Sequence, residues 1–167
     1  MTILRIRELG DPVLREKGRP VERFDAALKR LAEDMAETMY DAPGVGLAAN
    51  QIGQALRFFV WDDQTGEGWH AVANPQLEFL GGEEEADEGC LSVTGLYFPT
   101  KRVLRVRLRG QDLDGVPFEE ETEGWRARIF QHETDHVDGT VYVDRLEGEA
   151  RTDRLKALRE REAGLTP

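Results

Sequence analysis

Cysteine and histidine are scarce in this sequence, which has one cysteine and three histidines among 167 residues. A single cysteine excludes an internal disulfide, so Cys90 is a buried thiol, a reactive thiol or a metal ligand. Basic residues are also few: 22 Lys and Arg stand against 33 Asp and Glu, and the formal net charge is −11. Because phosphate groups bind to basic surfaces, this charge argues against DNA and anionic membranes as partners.

Long apolar runs are absent as well. No stretch approaches the roughly 20 apolar residues that a membrane span needs, and residues 1–6 lack the apolar region of a signal peptide. We therefore expect a cytoplasmic protein. The length and the 40% hydrophobic content predict one domain over residues 1–167, with residues 147–167 as a terminal helix or tail.

The clearest chemical signal is the segment from Gln131 to His136. His132 and His136 are four residues apart, so on a helix both imidazoles lie on one face and can bind one metal ion. Glu133, beside the first histidine, can then handle a proton of water on that metal. Two histidines at this spacing also occur on ordinary helix surfaces. Because two of only three histidines are used here, we favour a metal site.

An open catalytic metal site usually has three protein ligands, so a third must come from another element. Cys90 is the candidate, since it follows Gly89 in a strand-like run that can present a thiolate. A free cysteine is also common as a small buried core residue. We interpret His70, within an aromatic strand, as structural.

The spacing of apolar residues predicts both helices and strands. Apolar residues recur at helical intervals over residues 24–40, and the charged segment 147–162 also has helical spacing. Runs between residues 56 and 122 predict strands, with the acidic segment 81–85 as an exposed loop. We expect an α+β fold in which small antiparallel or mixed sheets pack around a central metal-binding helix, with an N-terminal and a C-terminal helix.

Three segments resemble the signature motifs of peptide deformylases. Residues 44–51 read Gly-Val-Gly-Leu-Ala-Ala-Asn-Gln, residues 88–92 read Glu-Gly-Cys-Leu-Ser, and residues 131–136 read Gln-His-Glu-Thr-Asp-His. The similarity extends over nearly the whole chain, although Asn50 stands where proline is frequent. The resemblance implies a metal-dependent hydrolase that removes the formyl group from the N-terminal formyl-methionine of newly made polypeptides and releases formate.

The resemblance also implies a role for each residue of the motifs. Three side chains would hold one divalent metal ion: Cys90, His132 and His136. Metal-bound hydroxide would attack the formyl carbon, with Glu133 acting first as general base and then as general acid. Gln51 and the backbone N–H of Leu91 would stabilise the oxyanion. The implied physiological metal is Fe²⁺, with Zn²⁺, Ni²⁺ or Co²⁺ possible in purified protein.

Substrate contacts follow from the same resemblance. The Gly46 backbone would lie along the substrate, and an apolar pocket would receive the methionine side chain. The expected pocket residues are Trp125, Arg128, Ile129 and Leu91, with core packing as the other interpretation of Trp125. Tyr97 occupies the segment where many members carry a substrate-facing Arg, so Arg102 is the remaining candidate cation near the peptide. The implied partners are the formyl-Met nascent peptide and, weakly or transiently, the ribosome.

Two alternatives from the residues themselves stay open. A metalloprotease with the same helix motif would take its third ligand downstream, where no His follows His136 and Glu147 is the nearest Glu. A non-catalytic metal-binding protein would need four ligands, and only His70 is spare. The non-catalytic alternative gives Glu133 and Gln51 no purpose.

Overall fold

The computed structural model describes residues 2–164 and has three α-helices and five strands. The helices are α1 (Ala26–Asp41), α2 (Trp125–Val137) and α3 (Gly148–Glu162). The strands are β1 (Gly46–Ala48), β2 (Phe58–Trp61), β3 (His70–Cys90), β4 (Val93–Gln111) and β5 (Pro117–Glu123). Three short 3-10 helices cover Pro12–Arg15, Ala49–Ile52 and Tyr142–Arg145. The predicted α+β class is confirmed. None of the helices in residues 2–164 is long and apolar enough to cross a membrane.

The strands form one antiparallel sheet in the order β1-β2-β3-β4-β5, rather than several small sheets. β3 and β4 make one long hairpin, whose turn lies between Cys90 and Val93. The prediction of a loop over residues 81–85 is wrong. A register shift between Phe79 and Gly81 lets β3 continue, and Glu83 pairs with Val103 of β4. Acidic residues fit this strand because one of its faces is exposed to water.

Helix α1 covers one face of the sheet. The side chain of Asp25 caps its first turn by accepting a hydrogen bond from the backbone N–H of Leu28. Its inner face, including Met35, packs against Phe58 and Val60 of β2 in one hydrophobic cluster. This packing confirms the helix that apolar spacing predicted for residues 24–40. The C-terminal end of α1 lies just before the first motif.

Helix α2 is the central helix of the fold. It begins directly after Gly124, whose φ of 69° suits glycine. Residues on its core side, among them Phe130, pack against Trp61 of β2 and Val106 and Leu108 of β4. The opposite side of α2 is therefore free to face the end of the β3–β4 hairpin, where Cys90 lies.

Helix α3 lies on the outside of the molecule and has no buried residue among those that the structure describes. It contacts β4 through Arg161, which donates a hydrogen bond of 2.7 Å to the backbone carbonyl of Thr94. The predicted C-terminal helix is thus present and largely solvated.

Candidate active site

The hairpin end and α2 bring together the three side chains that the sequence suggested as metal ligands. The ligand atoms of Cys90, His132 and His136 all lie within 4.8 Å of one another. Cys90 Sγ is 3.3 Å from His136 Nε2, and the two imidazole centroids are 5.0 Å apart. One thiolate and two imidazoles at this separation are a donor set for zinc or ferrous iron.

Glu88 orients the first of these histidines. Its Oε1 is 2.6 Å from His132 Nδ1, which leaves Nε2 to face the metal position. Glu88 is 5% exposed and accepts hydrogen bonds from Arg102 and Arg128. Burial raises the pKa of Glu88, but the hydrogen bonds from Arg102 and His132 outweigh it and hold that pKa below its usual range. A carboxylate on the outer nitrogen is the usual support of a metal-ligating histidine, so these residues fit a metal.

The two imidazoles differ in their surroundings. Burial lowers the pKa of His132, but its hydrogen bonds with Cys90 and Glu88 outweigh burial and raise that pKa well above the usual value. Burial and the charge on His132 lower the pKa of His136. A carboxylate therefore supports His132, whereas no side chain within residues 2–164 holds Nδ1 of His136 in the same way.

Glu133 lies beside the metal position on the same helix. It is 3% exposed, and its Oε1 is 4.0 Å from His132 Nε2. Burial raises the pKa of Glu133 to about 7. A Cβ at Gly46 would collide with the Glu133 carboxylate, so this part of the first motif must be glycine. The carboxylate can accept and return a proton near neutral pH.

Gln51 points its amide at the same place. Its Oε1 accepts a hydrogen bond of 2.9 Å from the backbone N–H of Ala48, which fixes the amide orientation. Its Nε2 then lies 3.0 Å from Ser92 Oγ and 3.6 Å from Cys90 Sγ. The side chain is 1% exposed, so the donor is held in place before any substrate arrives.

A cavity of about 590 Å³ opens onto these groups. The residues suggested for substrate contact that line it are Gly46, Leu91, Tyr97, Trp125, Arg128 and Ile129. Ile129 is buried, whereas Tyr97 is 70% and Trp125 50% exposed at the rim. The cavity is therefore closed at the buried Ile129 and open at the rim formed by Tyr97 and Trp125.

Comparison with known proteins identifies the family. Residues 3–152 match the family model of polypeptide deformylases. The chain is 48% identical over 167 residues to the peptide deformylase of Acidothermus cellulolyticus, which covers 99% of this chain and 92% of that protein. The crystal structure of the peptide deformylase from Thermus thermophilus matches with a TM-score of 0.89 and 48% identity, covering 94% of this chain and 93% of that one. The crystal structure of the peptide deformylase from Thermotoga maritima matches with a TM-score of 0.85 and 46% identity, covering 89% of this chain and 100% of that one.

This chain belongs to the peptide deformylase family. Its activity is accordingly the metal-dependent hydrolysis that removes the formyl group from an N-terminal methionine. The metalloprotease alternative is not supported. Glu147, its candidate ligand, directly precedes α3, is largely exposed and lies 3.4 Å from Lys101. The alternative of a non-catalytic metal-binding protein is not supported either, because the members of the family are enzymes.

The structure contradicts one of the expected contacts with the deformylase substrate. Arg102 does not line the cavity. It is 5% exposed, and its guanidinium is bonded to Glu88 on one side and to Asp135, at 2.6 Å, on the other. With both sides occupied, Arg102 cannot contact a peptide. It lies instead behind His132, where it donates hydrogen bonds to Glu88.

Glu88 is the functional residue that the sequence analysis missed. It was recognised only as part of the motif that contains Cys90. Its position two residues before that ligand carried no reliable signal, because a register shift between Gly89 and Cys90 interrupts the alternation of faces along β3. A carboxylate close to a metal ligand in the sequence is still a candidate support for a ligating histidine.

Proposed function

We propose that Cys90, His132 and His136 hold the catalytic metal and that Glu133 carries out the proton transfers of deformylation. The observation that carries this proposal is the convergence of one thiol and two imidazoles within 4.8 Å, beside a buried carboxylate at the end of a substrate-sized cavity. The bound ion supplies Lewis-acid chemistry and lowers the pKa of water. This donor set suits both ferrous iron and Zn²⁺. We take Fe²⁺ as the physiological metal, with Zn²⁺, Ni²⁺ or Co²⁺ as substitutes, because the resemblance to the family implies it.

Glu133 handles one proton twice. It takes a proton from the attacking water as the oxygen adds to the formyl carbon. It then passes this proton to the methionine nitrogen as the C–N bond breaks, which yields formic acid and a free amine. The formic acid keeps the second proton of the water and releases it to become formate. Its pKa of about 7 supports both steps, because a group that titrates near the working pH can serve as base and acid.

The developing oxyanion is stabilised by Gln51 and Leu91. Gln51 Nε2 lies beside Cys90 and is held by the contact of its Oε1 with Ala48. The backbone N–H of Leu91 follows the ligand Cys90 directly in the chain, in the turn of the hairpin. Donors that are fixed in advance stabilise charge without a reorganisation cost during the reaction.

The substrate is the formyl-methionine end of a nascent peptide. Leu91, Trp125 and Ile129 contact the methionine side chain, while Gly46 and Tyr97 lie along the peptide that leaves the cavity. Tyr97 offers an aromatic face instead of a charge there. The open side of the cavity, with its exposed aromatic rim, supports this direction.

The enzyme works in the cytoplasm as one catalytic domain over residues 1–167, with transient contact to the ribosome through α3. A single domain is supported by β2, which contributes residues to the hydrophobic cores on both faces of the sheet. Arg151 and Arg159, which are exposed on α3, support the ribosome contact. Co-sedimentation with ribosomes that is unchanged after truncation at Leu146 would remove α3 from this proposal.

The decisive experiment is hydrolysis of a formyl-Met tripeptide by anaerobically purified protein, with the metal content measured on the same sample. We expect about one metal per chain, as a three-ligand site implies. Glu133→Gln should retain the metal and lose about 10²- to 10⁴-fold in kcat/KM. Cys90→Ala should lose both metal and activity. The exposed Glu22→Gln is the control for the same chemical change. Full activity of Glu133→Gln would disprove its role.

A further inference from the structure

The two histidines of the site differ at the ring nitrogen that faces away from Cys90. His132 Nδ1 is held by Glu88. His136 is completely buried, and its Nδ1 has no hydrogen-bond partner within residues 2–164. Because His136 Nε2 faces Cys90, a neutral His136 that binds metal carries its proton on Nδ1. A buried N–H of this kind needs an acceptor.

Asn50 has the complementary atom. It is 1% exposed, and its Nδ2 donates a hydrogen bond to the backbone carbonyl of His136. Its Oδ1 is buried and accepts no hydrogen bond from the part of the chain that the structure describes. An acceptor and a donor that both lack partners thus belong to two residues that already contact each other. Leaving either unpaired costs stability, whereas pairing them satisfies both.

We infer that Asn50 is a positioning residue for His136. Its Oδ1 accepts the Nδ1 proton of His136, directly or through one buried water, and holds the ring with Nε2 toward Cys90 and the metal. The inference rests on the proposed role of His136 as a ligand.

Two substitutions separate the two hydrogen bonds of Asn50. Asn50→Leu has a similar size and removes both the donor and the acceptor, whereas Asn50→Asp removes the donor and keeps an acceptor. Loss of the partner on the outer nitrogen of a ligating histidine typically weakens metal binding 10- to 100-fold. We expect Asn50→Leu to raise the Co²⁺ dissociation constant by that factor and Asn50→Asp to restore it to within a few-fold of the parent.

The measurement is competition for Co²⁺ between a chelator and metal-free protein, with the Co²⁺ absorption spectrum as a report on ligand geometry. Thermal unfolding of the metal-free variants gives the purely structural effect. Thr38→Val is the control. It removes the hydroxyl of α1 that accepts a hydrogen bond from the backbone N–H of Leu4 and donates one to the backbone carbonyl of Asp34, outside the site. We expect this control to lower the unfolding midpoint and leave Co²⁺ binding unchanged.

The outcomes distinguish this inference from the proposed function. If Asn50→Leu and Asn50→Asp both lower the unfolding midpoint while their Co²⁺ dissociation constants and spectra equal those of the parent, Asn50 is only structural and the inference is overturned. If Cys90→Ala also binds Co²⁺ as tightly as the parent, the proposed ligand set itself fails. Weaker binding by Cys90→Ala and Asn50→Leu, with recovery in Asn50→Asp, establishes both.

Discussion

Two sets of arginine–carboxylate pairs in this molecule have similar N···O distances and different surroundings. The inner cluster behind the metal site consists of Glu88, Arg102, Arg128 and Asp135. The outer ladder on the open face of β3, β4 and β5 consists of Glu78, Arg107, Arg109, Glu119 and Glu121. One pair in each set has an N···O distance of 2.8 Å. The side chains of Arg102 and Glu88 are 3% and 5% exposed, whereas those of Arg109 and Glu119 are 54% and 50% exposed.

Burial, and not distance, decides what these pairs do. Water can replace either partner in the outer ladder, and salt screens the attraction between them. In the inner cluster water cannot replace a lost partner. Removal of one partner therefore leaves a buried charge without compensation. Because Glu88 also holds His132, the inner cluster links the stability of the fold to the geometry of the metal site.

The greatest loss of stability is expected from Arg102→Gln. The substitution removes a buried cation between Glu88 and Asp135, and breaking such a pair costs about 3–5 kcal/mol of unfolding free energy. We expect about 3 kcal/mol, the low end of that range, because Arg128 and Arg145 still contact the two carboxylates. Urea unfolding of the metal-free protein measures the loss.

If Arg102→Gln does not fold, Arg102→Lys replaces it in the same measurement. It keeps the charge and loses the two-point contact of the guanidinium, so its loss should be smaller. A loss for Arg102→Gln no larger than that of an exposed arginine would contradict the contrast between the inner cluster and the outer ladder.

A pH titration tests the same contrast at Glu88. Its folded-state pKa lies below the ordinary value of 4.5, so its charge stabilises the fold above pH 4.5, and this contribution is lost as the pH falls through the folded pKa. We expect Glu88→Gln to be less stable than the parent at about pH 6, with a gap that narrows steadily as the pH falls below the ordinary pKa.

The measurement is the urea midpoint of both metal-free proteins between about pH 6 and about pH 2.5, a range that spans the loss of the Glu88 charge. A gap that stays constant, or that widens as the pH falls, would mean that the Glu88 carboxylate is not selectively stabilised by the fold.

The metal centre was predictable because its signal is local. The spacing of His132 and His136 places both on one face of any helix, and the family motifs supply Cys90 and the remaining groups. The length of the β3–β4 hairpin was not predictable in this way. It depends on register shifts between Phe79 and Gly81 and between Gly89 and Cys90. Such shifts interrupt the alternation of faces from which a strand is predicted.

The role of Arg102 was misjudged although a signal was present. Along β4, the buried positions alternate and include Phe98, Thr100, Val106 and Leu108. Arg102 has the same parity, so period two places it on the inner face with them. A charged residue on an inner face needs a buried partner, which would have pointed to a carboxylate such as Glu88 rather than to a substrate.

The weakest effect is expected from Arg109→Gln in the outer ladder, which makes the same chemical change as Arg102→Gln at an equal N···O distance. Its partners Glu119 and Glu78 are about half exposed, so water and Arg107 replace the lost contact. We expect a urea midpoint close to that of the parent at low salt and no difference at about 1 M salt, where the Debye length is about 3 Å. A salt-independent loss as large as that of Arg102→Gln would show that the sheet surface, and not burial, sets the strength of these pairs.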